Sequence, residues 1–295
     1  LEQHHRAVYD SETTGYLCHI FLKEAATEHN LLYHDELNTN IHPEEVFKNG
    51  RPFHATIFAK DQAGLKELFK VVSQSNIEYY YRVPRILRSM LSSRRDSFLL
   101  GSGCAEGEVF EAMMQKGYNE AKEKAKFYDY IEIMPKAIYR PLIKKELIRN
   151  EHHLEEIIQN LVRLGEELGK PVVATGNVHY LNPEDKIYRE ILLTSLNNGV
   201  PQEYPDAHLR TTDEMLKEFA FLGEEKAYEV VVTNSNWVSE QLEEITPVKD
   251  ELFTPKIEGA ADEITKLSYD KAHEWYGNPL PKIVEDRIKK ELKSI

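Results

Sequence analysis

Between Phe53 and Leu196 the chain repeats one pattern four times: a short strand-like run, then a stretch of helical periodicity. The run Phe53–Ala59 precedes a helical segment that sets Leu65, Leu68, Phe69 and Val72 on one face. Ser97–Leu100 precedes Gly107–Met114, and the alternating run Tyr128–Met134 precedes a helix striped by Leu154, Ile157, Ile158, Leu161, Leu164 and Leu168. Pro171–Thr175, apolar and β-branched, precedes the helical segment Glu184–Leu196. Strand and helix in regular alternation predict an α/β fold with a mainly parallel sheet or a βα barrel. A chain of 295 residues holds two domains, or one large one, around an ample core.

The flanks read differently. Asp10–His29 is helical, 38–52 is a Pro-, Gly- and Asn-bearing connector, and Thr211-Thr212-Asp213-Glu214 is a capping box opening a helix at Met215. After a turn-rich stretch at 246–259, two further helices are separated by Gly277-Asn278-Pro279-Leu280-Pro281. No stretch approaches the ~20 apolar residues of a membrane span. Cys18 and Cys104 are the only cysteines, which excludes a disulfide scaffold and fits a reducing cytosol. The 37 basic against 50 acidic residues give a net charge of −13, which argues against a nonspecific nucleic-acid coat. The start, Leu-Glu-Gln-His-His-Arg, carries no export signal, and an opening on the approach to a helix leads us to expect a piece of a longer protein.

Four groups of residues carry candidate chemistry. His5 and Asp10, five residues apart at a helix entrance, can place an imidazole base beside a metal-holding carboxylate for attack on a phosphodiester. The plainer alternative, favoured by spacing alone, has Asp10 as an N-cap and His5 on the surface. His54 lies on a strand, where it is either a ligand or a satisfied edge residue. Cys104 follows Gly101-Ser102-Gly103 just past a strand, where a thiolate can bind zinc or a thiol can sit inert in a tight turn. Asn177 and His179 follow the strand Pro171–Thr175, and chemistry in parallel α/β folds gathers at such C-terminal strand ends. Glu132, inside its own strand, is placed to reach the same pocket or to serve as a structural carboxylate. His54, Cys104 and His179 thus come from three strand-associated segments, as in a metal site assembled by a barrel. Zinc suits the Cys/His mixture and manganese a set richer in carboxylates. Neither a Gly-rich phosphate loop nor a nucleophile elbow is present. Tyr79-Tyr80-Tyr81-Arg82-Val83-Pro84-Arg85, with Arg88, Arg94 and Arg95, joins rings to guanidiniums in a way that suits a nucleic-acid strand, or equally a solvated loop packed through its tyrosines.

The string from Val172 to Asn182 resembles the last metal-binding motif of the PHP (polymerase and histidinol phosphatase) domain of bacterial replicative polymerases. Arg51-Pro52-Phe53-His54-Ala55, Tyr80–Ile86 and Gly101–Cys104 match the same family in order, and His5–Thr14 resembles the last motif of a DEDDh 3′–5′ exonuclease. That order resembles the PolC-type family of DNA polymerase III α subunits, whose exonuclease is inserted within the PHP domain. The resemblance implies an internal fragment of a DNA-directed DNA polymerase with proofreading exonuclease. Residues 1–30 would end the exonuclease, 31–253 would form the C-terminal part of an incomplete, mainly parallel (β/α) PHP barrel, and 254–295 would open the polymerase palm. It further implies His5 as general base and Asp10 as a ligand of a two-metal exonuclease centre. His54, Cys104 and His179 would be PHP metal ligands, with Asn177 standing where the wider superfamily usually has Asp. The implied cofactors are Mg2+ or Mn2+ for the parent's exonuclease and polymerase, and Zn2+ or Mn2+ for the PHP site. The implied partners are primer-template DNA, dNTPs, the sliding clamp and other replisome subunits, with no membrane, in the cytoplasm. The first PHP and exonuclease motifs and the palm carboxylates are absent from the chain, so the piece is expected to be inactive alone. The alternatives are a PHP-family phosphoesterase and a non-catalytic metal-binding platform.

Overall fold

The computed structural model describes residues 7–33, 36, 46–196, 204–248, 250–252 and 255–295. His5 and the expected boundary at 253/254 lie outside the described residues. The chain divides into two compact units, Leu1–Ile245 and Thr246–Ile295.

The first unit opens with helix α1 (Ala7–Glu28), followed by the short α2 (Val46–Asn49). Strand β1 (Thr56–Ala59) leads into α3 (Gln62–Ile77), whose N-cap Asp61 accepts from the Gly64 amide at 2.6 Å. A two-plus-two hairpin, β2 (Tyr80–Tyr81) and β3 (Val83–Pro84), and α4 (Arg88–Ser92) return the chain to β4 (Phe98–Gly101). Then come α5 (Glu108–Gln115), α6 (Tyr118–Ala125), β5 (Ile131–Ile133), α7 (Lys136–Lys144), α8 (Glu151–Leu168) and β6 (Val172–Ala174). The unit closes with α9 (Lys186–Leu196), α10 (Thr212–Glu218), α11 (Glu224–Tyr228), a π turn at Glu229–Thr233 and α12 (Asn234–Glu240).

The class is α/β, but the sheet is mixed. β5 and β6 pair in parallel, Ile131 opposite Val172, and β4 joins β5 by a parallel bridge from Gly101 to Tyr130. β1 instead runs antiparallel to β4, Thr56 opposite Gly101 and Ala59 opposite Phe98. The expectation of parallel strands fails there for a topological reason. A parallel crossover needs one helical return, whereas here α3 carries the chain away and residues 78–97 bring it back. β4 therefore starts where β1 ends, and the Lys60 amide donates to the Ser97 carbonyl at 3.1 Å. Among the described residues no pairing closes these strands into a ring.

Both faces of the parallel strands are covered, which is why they read as continuous apolar runs. Phe98, Leu100, Ile131, Ile133 and Val172 face one cluster with the buried stripe of α8. Leu99, Tyr130 and Val173 face the other, under Val238 and Trp237 of α12. α8 forms where the sequence predicts it: Asn150 caps its start by accepting from the His153 amide at 2.9 Å, and Gly169 ends it at φ 63°. Each of its buried Leu and Ile side chains contributes about 1.5–3 kcal/mol. The capping box at α10 is also present, with Thr211 and Glu214 exchanging side-chain-to-amide bonds. α6 and α7 were not legible beforehand, because both are short and one carries Pro141.

The second unit is a helical hairpin. α13 (Ala260–Tyr276) ends at Gly277, whose positive φ of 81° glycine adopts without a Cβ clash, and α14 (Lys282–Ser294) begins after Pro281.

Candidate metal centre

β4 ends at Gly101, and the next residues turn sharply into α5. Gly103 makes that turn possible: its φ is 78°, and a Cβ there would lie 2.6 Å from the His54 carbonyl oxygen. The turn sets Cys104 against the segment entering β1. The His54 amide donates to the Glu106 carbonyl at 3.1 Å, and residue 54 forms an isolated bridge to Gly107 just before β1 rather than lying in the strand.

The side chains then meet. His54 Nδ1 lies 3.2 Å from Cys104 Sγ, and His54 Nε2 lies 3.1 Å from Glu106 Oε2. The Glu106 amide points at Cys104 Sγ from 3.4 Å. Burial raises the Cys104 thiol pKa, more than the Glu106 amide lowers it. The two ring nitrogens thus face different partners, Nδ1 the thiol and Nε2 the Glu106 carboxylate.

A buried carboxylate closes the floor. Glu132 of β5 is 5% exposed and accepts from the Gly103 amide at 3.3 Å and the Thr175 hydroxyl at 3.2 Å. Its own amide donates to Ser102 Oγ at 2.9 Å. Tyr130, one pleat away, has its phenol pKa raised by burial first and by Glu132 second. His54, Cys104, Glu132, Thr175 and Asn177 line one cleft of about 1040 Å³, together with Arg85 and Arg88.

The predicted residues separate into three groups. His54, Cys104 and Asn177 share the cleft, with Asn177 in the left-handed region at φ 45°, which Asn tolerates better than most side chains. His179 is not among the cleft-lining residues; its amide donates to the Ala207 carbonyl at 2.8 Å. Partial burial, then the Arg189 guanidinium, lowers its pKa. Asp10 sits exposed in the first turn of α1, inside the helix rather than at its cap, where a carboxylate favours the helix dipole. Sequence reasoning missed Glu106, Ser102 and Thr175. Glu106 had a signal, an acid two residues past a cysteine and ahead of a helix-opening glycine.

The donor set fits a soft divalent ion in part. Zinc bonds of about 2.0 Å to nitrogen and 2.3 Å to sulfur at a tetrahedral angle place the two donor atoms about 3.5 Å apart. The observed 3.2 Å lies close to that separation. A carboxylate on the second ring nitrogen, as Glu106 provides, is the usual outer partner of a metal-bound His. Among the described residues, however, no three His, Cys, Asp or Glu side chains come together as a metal-holding group.

The profile of the PHP domain family matches residues 16–139, a stretch holding His54, Cys104, Glu106 and Glu132. "DNA polymerase III PolC-type" of Listeria welshimeri is 58% identical over 298 aligned positions, covering all of this chain. The proteins of that name from Pediococcus pentosaceus and Bacillus subtilis are 57% and 56% identical, again across the whole chain. End to end, the chain is similar to one segment of these PolC-type DNA polymerase III proteins. It spans 21% of the length of those relatives. The PHP profile stops short of Asn177 and His179, but the PolC-type relationship runs through both.

Proposed function

We propose that the chain serves as the segment of a bacterial replicative DNA polymerase that joins a 3′–5′ exonuclease to a PHP metal centre and the opening of the polymerase palm. On this reading the parent extends primers on template DNA from dNTPs, in the cytoplasm, alongside a sliding clamp and other replisome subunits. Residues 1–30 would close the exonuclease, although the PHP match already begins at Tyr16; residues up to 253 would belong to a PHP barrel completed by chain lying elsewhere in the parent, and 254–295 would begin the palm. His5 acts as general base and Asp10 as a carboxylate ligand of the exonuclease, which uses Mg2+ or Mn2+. The observation that carries the reading is the similarity of the whole chain to one segment of PolC-type proteins, joined to a His–Cys pair at the C-terminal end of β4.

At the PHP centre His54 Nδ1 and Cys104 Sγ would hold Zn2+ or Mn2+, with Asn177 as the further ligand from the β6 end; His179, expected as a ligand, does not line this cleft. When bound, the ion supplies Lewis acidity and charge at a phosphate. Glu106 fixes the His54 tautomer by accepting from Nε2, and Glu132 holds the Gly103 turn so that Sγ faces the cleft. Metal analysis of the purified parent polymerase tests this: His54→Ala and Cys104→Ser are expected to lower bound metal, and unchanged content in both refutes the site. Primer-extension and strand-digestion assays with the isolated chain are expected to show no activity.

A second reading treats this segment as a non-catalytic metal-binding platform. The lack of a third ligating His, Cys, Asp or Glu among the described residues favours it over a free-standing phosphoesterase. Metal-dependent hydrolysis of a simple phosphate monoester by the isolated chain would reverse that preference.

A further inference from the structure

We infer that the β2–β3 hairpin is a contact surface for a single nucleic-acid strand, held by its bases on Tyr80 and by its phosphates on Arg82 and Lys48. The inference deepens the polymerase reading by placing a DNA contact within this segment, and rests on that reading only for the strand's origin.

Residues 79–95 contain five arginines and no Asp or Glu, in a chain that carries −13. Three of those arginines are spoken for: Arg88 pairs with Glu108, Arg94 with Glu67 and Arg95 with Asp129. Arg82 and Arg85 pair with no carboxylate among the described residues, and neither does Lys48 of α2. Their guanidiniums instead lie 5.5 and 5.2 Å from the Tyr81 ring centre, and the Lys48 ammonium lies 5.7 Å from the Phe47 ring.

The surface is built rather than trailing. Arg85 Nη1 donates to the Phe47 and Gly50 carbonyls, each at 2.6 Å, and the Arg85 amide donates to the Tyr79 carbonyl. Phe47 meets Tyr79 edge-on at 5.5 Å, which ties α2 to the base of the hairpin. Arg82 occupies the apex between the paired Tyr81 and Val83, at φ 63°, so the tightest point of the turn holds a long cation. Tyr80 is 57% exposed and has no ring partner among the described residues. An open aromatic face beside cations that lack counter-charges suits a base on the ring and phosphates on the cations.

The test is anisotropy of a fluorescein-labelled 20-mer oligothymidylate titrated with the full 295-residue chain, at several salt concentrations from 50 to 200 mM. The wild type is expected to bind more weakly as salt rises. Tyr80→Ala is expected to weaken binding about 5- to 100-fold, while Tyr80→Phe retains it. Arg82→Ala is expected to reduce the log–log salt slope by about 0.7, one phosphate on a single strand. A fully paired duplex of equal length binds less tightly, because its bases are not offered to Tyr80. Circular dichroism spectra matching the wild type establish that the variants are folded. Absence of binding at low salt, a neutral Tyr80→Ala, or equal binding of duplex or polyglutamate overturns the inference. Any of these outcomes leaves the family relationship untouched.

Discussion

Gly101 is the position at which one methyl group does the most damage. It ends β4, and a Cβ there would lie 2.3 Å from Glu132 Oε1 and 2.4 Å from the Tyr130 phenol oxygen. Ordinary contact needs about 1 Å more. Both neighbours are nearly buried, at 5% and 2% exposure, so neither can swing into solvent. Relief must come from Glu132 giving up its bonds from the Gly103 amide and the Thr175 hydroxyl. Overpacking costs about 1–3 kcal/mol, and a lost bond to a charged group about 1.5–3 kcal/mol. Because those bonds are long, we expect Gly101→Ala to lose about 3–5 kcal/mol, a large share of a typical total of about 5–15 kcal/mol. Urea unfolding followed by tryptophan fluorescence in a Trp275→Phe background reads this, since the remaining Trp237 packs against the cluster that contains Tyr130. Gly15→Ala is the control: α1 leaves nothing within 4 Å of the new methyl, so it is expected to stabilise by about 0.5–1 kcal/mol. In a Glu132→Ala background the cost of Gly101→Ala is expected to fall by about 1 kcal/mol or more, since the nearest obstacle is gone. A cost under about 1 kcal/mol, or one indifferent to residue 132, would falsify the pinned-carboxylate picture.

Leu161→Ala, at a fully buried position on α8, is expected to lose about 2–5 kcal/mol and lower the thermal midpoint by about 2–4 °C per kcal/mol. A midpoint unchanged in calorimetry would mean that α8 does not pack as described. The Lys186 ammonium, by its hydrogen bond and its charge, holds the Asp206 carboxyl below its usual 3.8. Its contribution is therefore present above about pH 4 and is lost as pH falls through the depressed value. Asp206→Asn should match wild type in strong acid and fall below it near neutrality; parallel stability curves across that range would exclude the linkage. Zinc is expected to slow alkylation of Cys104 and leave exposed Cys18 unaffected, as peptide mass mapping after timed iodoacetamide treatment would show. Equal protection of both cysteines, or of neither, counts against the His54–Cys104 pair as ligands.

The parts of this fold that announce themselves in the sequence are those governed by local rules. The α8 stripe, its Asn150 cap and the box at Thr211–Glu214 need only residues a few positions apart, and each was legible. The direction of β1 was not, because it depends on whether residues 78–97 add a second traverse after α3, a matter of tertiary packing. At the site, the motif around Cys104 marked the thiol, but its pairing with His54 spans fifty residues and is created by the bridge to Gly107. Asn177 and His179 looked like a pair by alternation in extended backbone. The φ of 45° at Asn177 breaks that alternation, and His179 parts from the cleft that Asn177 lines.

Net charge misleads for a related reason: it sums over a surface that ions do not sense as a whole. At physiological salt a charge is screened within about 8 Å, so a docking strand responds to the groups beside it. Many of this chain's cations are paired within their own helices, as in Lys70–Glu67, Lys271–Glu274 and Lys289–Glu285. The acidic excess lies largely on solvated helices, where it aids solubility. The hairpin is the exception, because Arg82 at its apex pairs with no carboxylate among the described residues, and Arg85 Nη1 serves two carbonyls that leave its charge uncancelled. Neutralising acids elsewhere should therefore change solubility while leaving oligothymidylate affinity nearly constant. An affinity that instead tracked the total charge would show that the hairpin does not act as a local site.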